Sequence, residues 1–277
     1  MWKNTGKTSF EGVFIDMKGK KVIITESQRE RIFEAAWPSF SMYELEKLDD
    51  WEKYDYAVKM LGEPMAEGSS RVVFDIDDDT VLKLAINDTP DDGVSNNTAG
   101  CEQNRVEAEL YKKTMSKILP KIYYVSNDFS FIICERVFQA DMVDFERYLG
   151  IPFLTRYMQN TSHHHGREGE YVPVGYDKYF GDELMSNQAT SRINFMDIAY
   201  YIEDVYLNDS DEVDDEFEKV IDESWWLTDL RRLMVTFGLK DISLANFGIV
   251  RRDGEEMLVV LDSGMDEDVY ENYYSYR

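Results

Sequence analysis

The sequence predicts an α+β fold in two lobes with a cleft between them. Three observations point there. Short β-branched segments cluster between residues 70 and 137, helical spacing dominates beyond residue 138, and one more strand pair returns near the end. The chain has 277 residues, enough for two modest lobes, and its 43% hydrophobic and 14% aromatic content argues for packed cores and against global disorder.

Gly12–Thr25 reads as two short strands around the turn Lys18-Gly19-Lys20. Thr25 or Ser27 can cap a helix over Glu26–Trp37, with Gln28 or Glu30 completing a capping box. A second helix is expected over Met42–Leu61, with Trp51, Tyr54 and Val58 recurring on one face. Residues 1–60 therefore read as an accessory segment. In the next segment, 61–137, Ser70–Phe74 and Thr80–Ala85 form a predicted hairpin across Asp77-Asp78-Asp79. Thr89–Gly100 is polar and reads as a loop. Cys101–Ile118 has helical spacing, since Val106, Leu110 and Met115 can share a face. Pro120–Val125 and Phe129–Val137 read as another hairpin. In 138–277 the clearest helices are Phe195–Tyr206 and Trp225–Phe237, and Gln159–Gly181 lacks a period. Asn246–Val250 and Met257–Leu261 are the last strands, around Arg252-Asp253-Gly254, and the tail from Met265 is acidic and tyrosine-rich.

A net charge of −25 would repel a phosphate backbone, so no nucleic-acid surface is expected. It favours solubility or a basic partner. It also demands that any bound anion be held by local devices: a metal ion, a lysine or backbone N–H groups. No apolar run approaches the roughly 18 residues that cross a bilayer, so no membrane partner is expected. Met1-Trp2-Lys3-Asn4 lacks the apolar stretch of a signal peptide, and two cysteines, Cys101 and Cys134, make no disulfide framework; both fit a cytosolic setting.

The chemistry-bearing residues follow an order. Glu67-Gly68-Ser69-Ser70 is a glycine-containing turn, where a missing Cβ would let backbone N–H groups approach phosphate. Val81-Leu82-Lys83-Leu84-Ala85 puts a lysine inside an apolar strand, which is costly unless the charge is paired. Glu107 and Glu109 on the following helix are the candidate partners; Glu107 is preferred because Val106 and Leu110 flank it, and Glu109 stays open. Ile132-Ile133-Cys134-Glu135-Arg136-Val137 is a buried strand end. Asp241 and Asn246 stand five apart in Leu239-Lys240-Asp241-Ile242-Ser243-Leu244-Ala245-Asn246, and Val259-Val260-Leu261-Asp262-Ser263-Gly264 carries an aspartate off an apolar strand.

This order resembles that of the protein-kinase superfamily over about residues 61–137 and 225–264. The resemblance implies a two-lobed kinase-like fold whose C-terminal lobe is reduced and rearranged, with ATP and Mg²⁺ as cofactors. It implies that Gly68 and Ser69 face phosphate, and that Lys83 contacts the α/β-phosphates and pairs with Glu107. Backbone groups of Glu135 and Val137 would meet adenine, with Cys134 behind the pocket. Asp241 would take the proton of the attacking hydroxyl, Asn246 and Asp262 would hold the metal, and Gly264 would allow a sharp turn. Leu239 replaces the usual histidine, Ser243 replaces a lysine, and only thirteen residues follow Gly264. The chain thus resembles reduced kinase-like proteins of the kind found in bacteriophages more than a signalling kinase, which implies the cytoplasm, of the host if phage-encoded. The expected activity is ATP- and Mg²⁺-dependent phosphate transfer to an acceptor left open, a protein serine or threonine being one candidate. Two alternatives stand beside it: a catalytically weak pseudokinase-like module, and an acidic decoy that binds a basic partner protein.

Other features carry blander readings. His163-His164-His165 could bind a metal, but a solvated loop is favoured. Asp75–Asp79 lacks the glycine and glutamate of a calcium loop. Asp209–Glu223 reads as a solvated helix face with its lead-in, and the tail tyrosines as packing residues.

Overall fold

The computed structural model describes residues 12–15, 21–24, 40–86, 96–151, 153, 193, 195–207 and 214–274, with backbone alone at 12–15, 21–24, 96 and 97. The expected helix Glu26–Trp37, the irregular segment Gln159–Gly181 and the three histidines lie outside the described residues. Strands β1 (Gly12–Ile15) and β2 (Lys21–Ile24) pair antiparallel.

The expected helix Met42–Leu61 is two helices, α1 (Met42–Lys47) and α2 (Asp50–Leu61). Asp49 breaks it: its carboxylate accepts the Glu52 N–H, and Glu52 returns a bond to the Asp49 N–H, closing a capping box. Of the three residues expected on one face, Val58 packs on the core and Tyr54 meets the Phe74 ring. Trp51 is 65% exposed, whereas Lys53 and Ala57 turn inward. Lys53 can do so because its Nζ donates to Asp128 Oδ2 (3.0 Å) and Ser130 Oγ (2.9 Å).

Five antiparallel strands follow: β3 (Ala66–Glu67), β4 (Arg71–Asp75), β5 (Thr80–Ala85), β6 (Ile122–Val125) and β7 (Phe131–Glu135), in the spatial order β3-β4-β5-β7-β6. One face of this sheet presents Val72, Phe74, Leu82, Leu84, Phe131 and Ile133 to Phe40 and to Met42, Leu45 and Ala57 of the first two helices. The other face meets α3 (Asn96–Thr114), which packs on β5, β6 and β7. This helix starts before the expected Cys101, so the loop expected over Thr89–Gly100 gives way to helix from Asn96. Gly100 sits inside it because the helix backbone presses on the sheet: a Cβ there would stand 2.3 Å from Ser70 O and 2.8 Å from Ala85 Cβ. The helix ends at Thr114, not Ile118; Met115 takes φ 48 and turns the chain so that Ile118 enters the core instead.

The second lobe is mainly helical: α4 (Met142–Leu149), α5 (Phe195–Ile202) continuing as a π turn over Glu203–Leu207, α6 (Asp215–Glu223) and α7 (Trp225–Phe237). Its core centres on Phe145, Phe195, Trp226 and Phe247, whose rings lie within 6.0 Å of a neighbour. Between the helices runs a three-stranded sheet, β10 (Glu255–Val260), β9 (Phe247–Arg252) and β8 (Phe138–Gln139). Asp253 (φ 53) and Gly254 (φ 83) form the two-residue turn that pairs Arg252 with Glu255, the primed geometry that suits a twisted hairpin. Helix α8 (Glu267–Tyr273), capped by Asp266, lies against α3. The class is α+β in two lobes, as expected. No helix among the described residues is long and apolar enough to cross a membrane.

Candidate functional site

The site grows from the β4–β5 register. Val73 pairs with Lys83, so Arg71, Val73 and Lys83 share the face that α3 covers. Lys83 is buried, and its Nζ donates to Glu107 Oε1 (2.7 Å) and to the Leu261 carbonyl (3.0 Å). Burial opposes the ammonium charge, but Glu107 outweighs it and holds the Lys83 pKa above its ordinary value. Glu107 is 1% exposed. Glu109 points elsewhere, to Arg105 (3.3 Å) and Lys113 (2.8 Å) on the outer face of α3.

Sequence reasoning missed the next residue. Arg71 is buried, and its Nη1 donates to Glu107 Oε2 (2.9 Å) and Asn104 Oδ1 (3.2 Å), while Nη2 donates to Asp262 Oδ1 (2.5 Å). Asp262 lies at the start of the segment after β10, with its side chain 41% exposed. Burial pushes its carboxyl up, but Arg71 and then Lys83 outweigh that and hold it well below the usual carboxylate range. Arg71 follows a glycine turn and opens the strand Arg71–Asp75 beside the apolar run Val72-Val73-Phe74, a weaker form of the signal that singled out Lys83. Two buried cations and two carboxylates thus form one connected group.

Asp241 and Asn246 lie on the loop ahead of β9. Asn246 Nδ2 donates to Asp241 Oδ2 (2.6 Å) and to the Asp241 carbonyl (2.8 Å). Asp241 holds φ 59, a left-handed geometry that costs a non-glycine residue and that the Asn246 bonds help to hold. The Asn246 carbonyl accepts the Leu261 N–H (2.8 Å), which sets this loop beside Asp262. Leu239, at the position of the absent histidine, is 1% exposed and anchors the loop in the helical core.

Gly68 and Ser69 lie in the β3–β4 turn, closed by Gly68 N–H to Arg71 O (2.8 Å). A Cβ at Gly68 would meet only Arg71 O, at 3.5 Å, so packing does not require glycine there. Ser69 Oγ lies 3.4 Å from Tyr274 Oη, which donates to Ser70 Oγ (3.1 Å) and accepts from Gln103 Nε2 (2.8 Å). The tail tyrosine therefore reaches the glycine turn, a contact with no signal in the sequence. Glycine at 264 answers to packing. Its φ is not left-handed. A Cβ would instead stand 2.8 Å from Gln103 O and 2.9 Å from Gln103 Cβ, so glycine permits the close approach of this segment to α3.

The Glu135 side chain has work of its own, apart from the backbone groups named above. Its carboxylate is held by Arg252 Nε (2.9 Å to Oε1) and Nη2 (2.5 Å to Oε2), and its N–H donates to Lys121 O (2.8 Å). The residue fastens the end of β7 to β9 and to the segment before β6. Val137 packs with Val250 and Val259 in a small cluster of its own. Cys134 is fully buried, and burial pushes its thiol up to about 12; Cys101, less buried, is likewise pushed up to about 12. A disulfide exchange reagent at pH 8 is therefore expected to leave both thiols unlabelled in the native protein and to label both in denaturant; fast native labelling of either would contradict this.

Among the described residues no group of three or more histidine, cysteine or acidic side chains is placed to hold a metal ion. No family model matches the chain, and no curated protein matches it. Solved structures do. SAICAR-synthase from Saccharomyces cerevisiae complexed with SAICAR is 10% identical, over 71% of this chain and 72% of that one, with a TM-score of 0.31. The streptomycin–ATP–APH(2")-IIa ternary complex is 15% identical, over 78% and 71%, with a TM-score of 0.28. Overlaps this loose carry no weight for function.

Proposed function

We propose that the chain is an ATP- and Mg²⁺-dependent phosphotransferase acting on a hydroxyl. The observation that carries the reading is the buried Lys83–Glu107 pair, 2.7 Å apart, joined through Arg71 to Asp262, with the Asp241–Asn246 loop beside it. A lysine buried in a strand and held charged by one glutamate is preorganised to meet an anion. The donors fit Mg²⁺. Asp262 offers a carboxylate, and Asn246, whose amide nitrogen is committed to Asp241, offers its oxygen. Mg²⁺ prefers oxygen and is ordinarily held by one or two carboxylates together with phosphates, so two protein donors suffice.

The residues then divide the work. Lys83 binds phosphate oxygens, and Glu107 fixes its position. Gly68 and Ser69 turn backbone toward phosphate. Glu135 and Val137 border the purine end, Glu135 through its backbone, since its side chain serves Arg252. Asp241 accepts the proton of the acceptor hydroxyl at its carboxylate, and Asn246 keeps that carboxylate oriented. Bound Mg²⁺ would neutralise phosphate charge in a protein of net charge −25. Transfer here is positioning and charge stabilisation, which scattered polar side chains can supply.

Mg-ATP is expected to raise the thermal midpoint of the wild type, with stabilisation of roughly 2.7 kcal/mol at about 100 Kd, and ATP in excess EDTA to do far less. Asp262→Asn should keep the fold and lose most of the metal-dependent part. Absence of any shift with Mg-ATP would sink this reading. A second reading, a nucleotide-binding module without transfer, is favoured by one observation: Tyr274 already occupies the glycine turn. A Mg-ATP shift with no turnover of any hydroxyl acceptor would select it.

A further inference from the structure

The four-residue group is charge-balanced in an unusual way. Lys83 and Glu107 form a complete pair by themselves. Arg71 adds a second buried cation to the same glutamate, and only Asp262 balances it. Asp262 Oδ1 accepts both Arg71 Nη2 (2.5 Å) and the Gly264 N–H (3.1 Å). The carboxylate proposed as a metal ligand is therefore already held by a guanidinium. A divalent cation needs oxygen contacts at about 2.0–2.1 Å and would repel a guanidinium on the same carboxylate. The two cations compete.

Arg71 is also placed to do something else once it is released. It directly follows the Gly68–Ser70 turn, and its carbonyl closes that turn by accepting the Gly68 N–H. Its two arms are divided: Nη1 is held by Glu107 and Asn104, and Nη2 alone reaches Asp262. The arm on Asp262 can leave while the other stays anchored. A planar guanidinium suits phosphate oxygens as well as it suits carboxylate.

We infer that Arg71 is an exchangeable resident cation: it holds Asp262, yields that carboxylate to the metal when Mg-nucleotide binds, and turns its freed Nη2 to a phosphate oxygen beside Lys83. This rests on the phosphotransferase reading and adds a phosphate-binding residue to it. The exchange links metal and nucleotide. Metal alone must displace Arg71 with nothing to receive it, so the site takes metal poorly without nucleotide and well with it.

The test measures two ligands separately on the full chain: Mn²⁺ alone, by titration of its free-ion spin resonance signal, and Mg-ATP, by calorimetry. Arg71→Met is expected to bind Mn²⁺ alone about tenfold or more tighter than wild type, because a competitor is gone, and Mg-ATP about tenfold or more weaker, because a phosphate contact is gone. The Mn²⁺ gain must vanish in Arg71→Met/Asp262→Asn. A merely structural arginine would weaken both ligands together, and that result overturns the inference, as does unchanged Mn²⁺ affinity. Should Arg71→Met not fold, Arg71→Lys serves. Its ammonium lacks the second arm and cannot span Glu107 and Asp262, so Mn²⁺ binding should again tighten, and no tightening overturns the exchange. Wild type that binds Mn²⁺ weakly but never binds Mg-ATP overturns the phosphotransferase reading itself, a different failure from an unchanged Mn²⁺ affinity in the variant.

Discussion

Glu107→Gln is expected to destabilise the folded protein by about 3–5 kcal/mol, the cost of breaking a buried ion pair from one side. Glu107 is 1% exposed and carries two cations at once, Lys83 at 2.7 Å and Arg71 at 2.9 Å. A neutral amide keeps the shape but removes the one charge that offsets both. The amide oxygen can still accept from one of the two, but its NH2 faces the other cation donor against donor, and the charge that held Lys83 beside the Leu261 carbonyl and Arg71 beside Asn104 is gone. The control lies two residues on. Glu109→Gln removes an exposed carboxylate from two surface pairs and should cost under about 1 kcal/mol. Urea unfolding of the two variants checks this: a lower midpoint at unchanged slope for Glu107→Gln, and almost none for Glu109→Gln. Equal losses would mean that Glu107 holds no special place.

Arg252→Met should cost a similar amount, about 3–5 kcal/mol, for a different part of the molecule. Arg252 donates to Glu135 through Nε and Nη2, to Lys117 O (2.6 Å) and to Leu119 O (2.7 Å), with side chains 12% and 9% exposed across the ion pair. One guanidinium thus joins β9 of the second lobe to β7 of the first and to the segment between α3 and β6. Methionine fills the volume but leaves the buried Glu135 carboxylate without its cation and the Leu119 carbonyl without its donor, while the surface Lys117 carbonyl loses its donor too. The companion double variant Arg252→Met/Glu135→Leu should recover part of the loss, because an apolar pair removes the orphaned charge along with its partner. No recovery would show that the two carbonyls, rather than Glu135, dominate.

Much of this molecule was legible in its sequence where period and local chemistry agree. The β4–β5 hairpin, helix α7 and the β9–β10 hairpin follow from β-branched runs, helical spacing and Asp253-Gly254. The side of α3 that faces Lys83 followed from Val106 and Leu110 flanking Glu107. The errors have physical causes. Asp49 reads as one more acid inside a long helix until its bond to the Glu52 N–H is seen. Lys53 hides in a polar stretch because its partners, Asp128 and Ser130, are remote in sequence. Gly100 and Gly264 read as loop and turn glycines, yet both serve close backbone approach across elements, which no single-strand pattern encodes. Arg71 and Tyr274 were missed for the same reason: their roles exist only after distant segments meet.

That distance has a consequence for how the cleft is assembled in time. Lys83 and Glu107 are separated by 24 residues, so docking α3 on its own sheet brings them together. Arg71 and Asp262 are separated by 191, and Gln103 and Tyr274 by 171. Contacts that close long loops carry the larger entropic cost, and they form once shorter-range structure has already reduced it. The first lobe can therefore become compact with Lys83 paired while Asp262 is still elsewhere. Collapse of the first lobe and the joining of Arg71 to Asp262 are separate events along the folding path, and the second waits on the first.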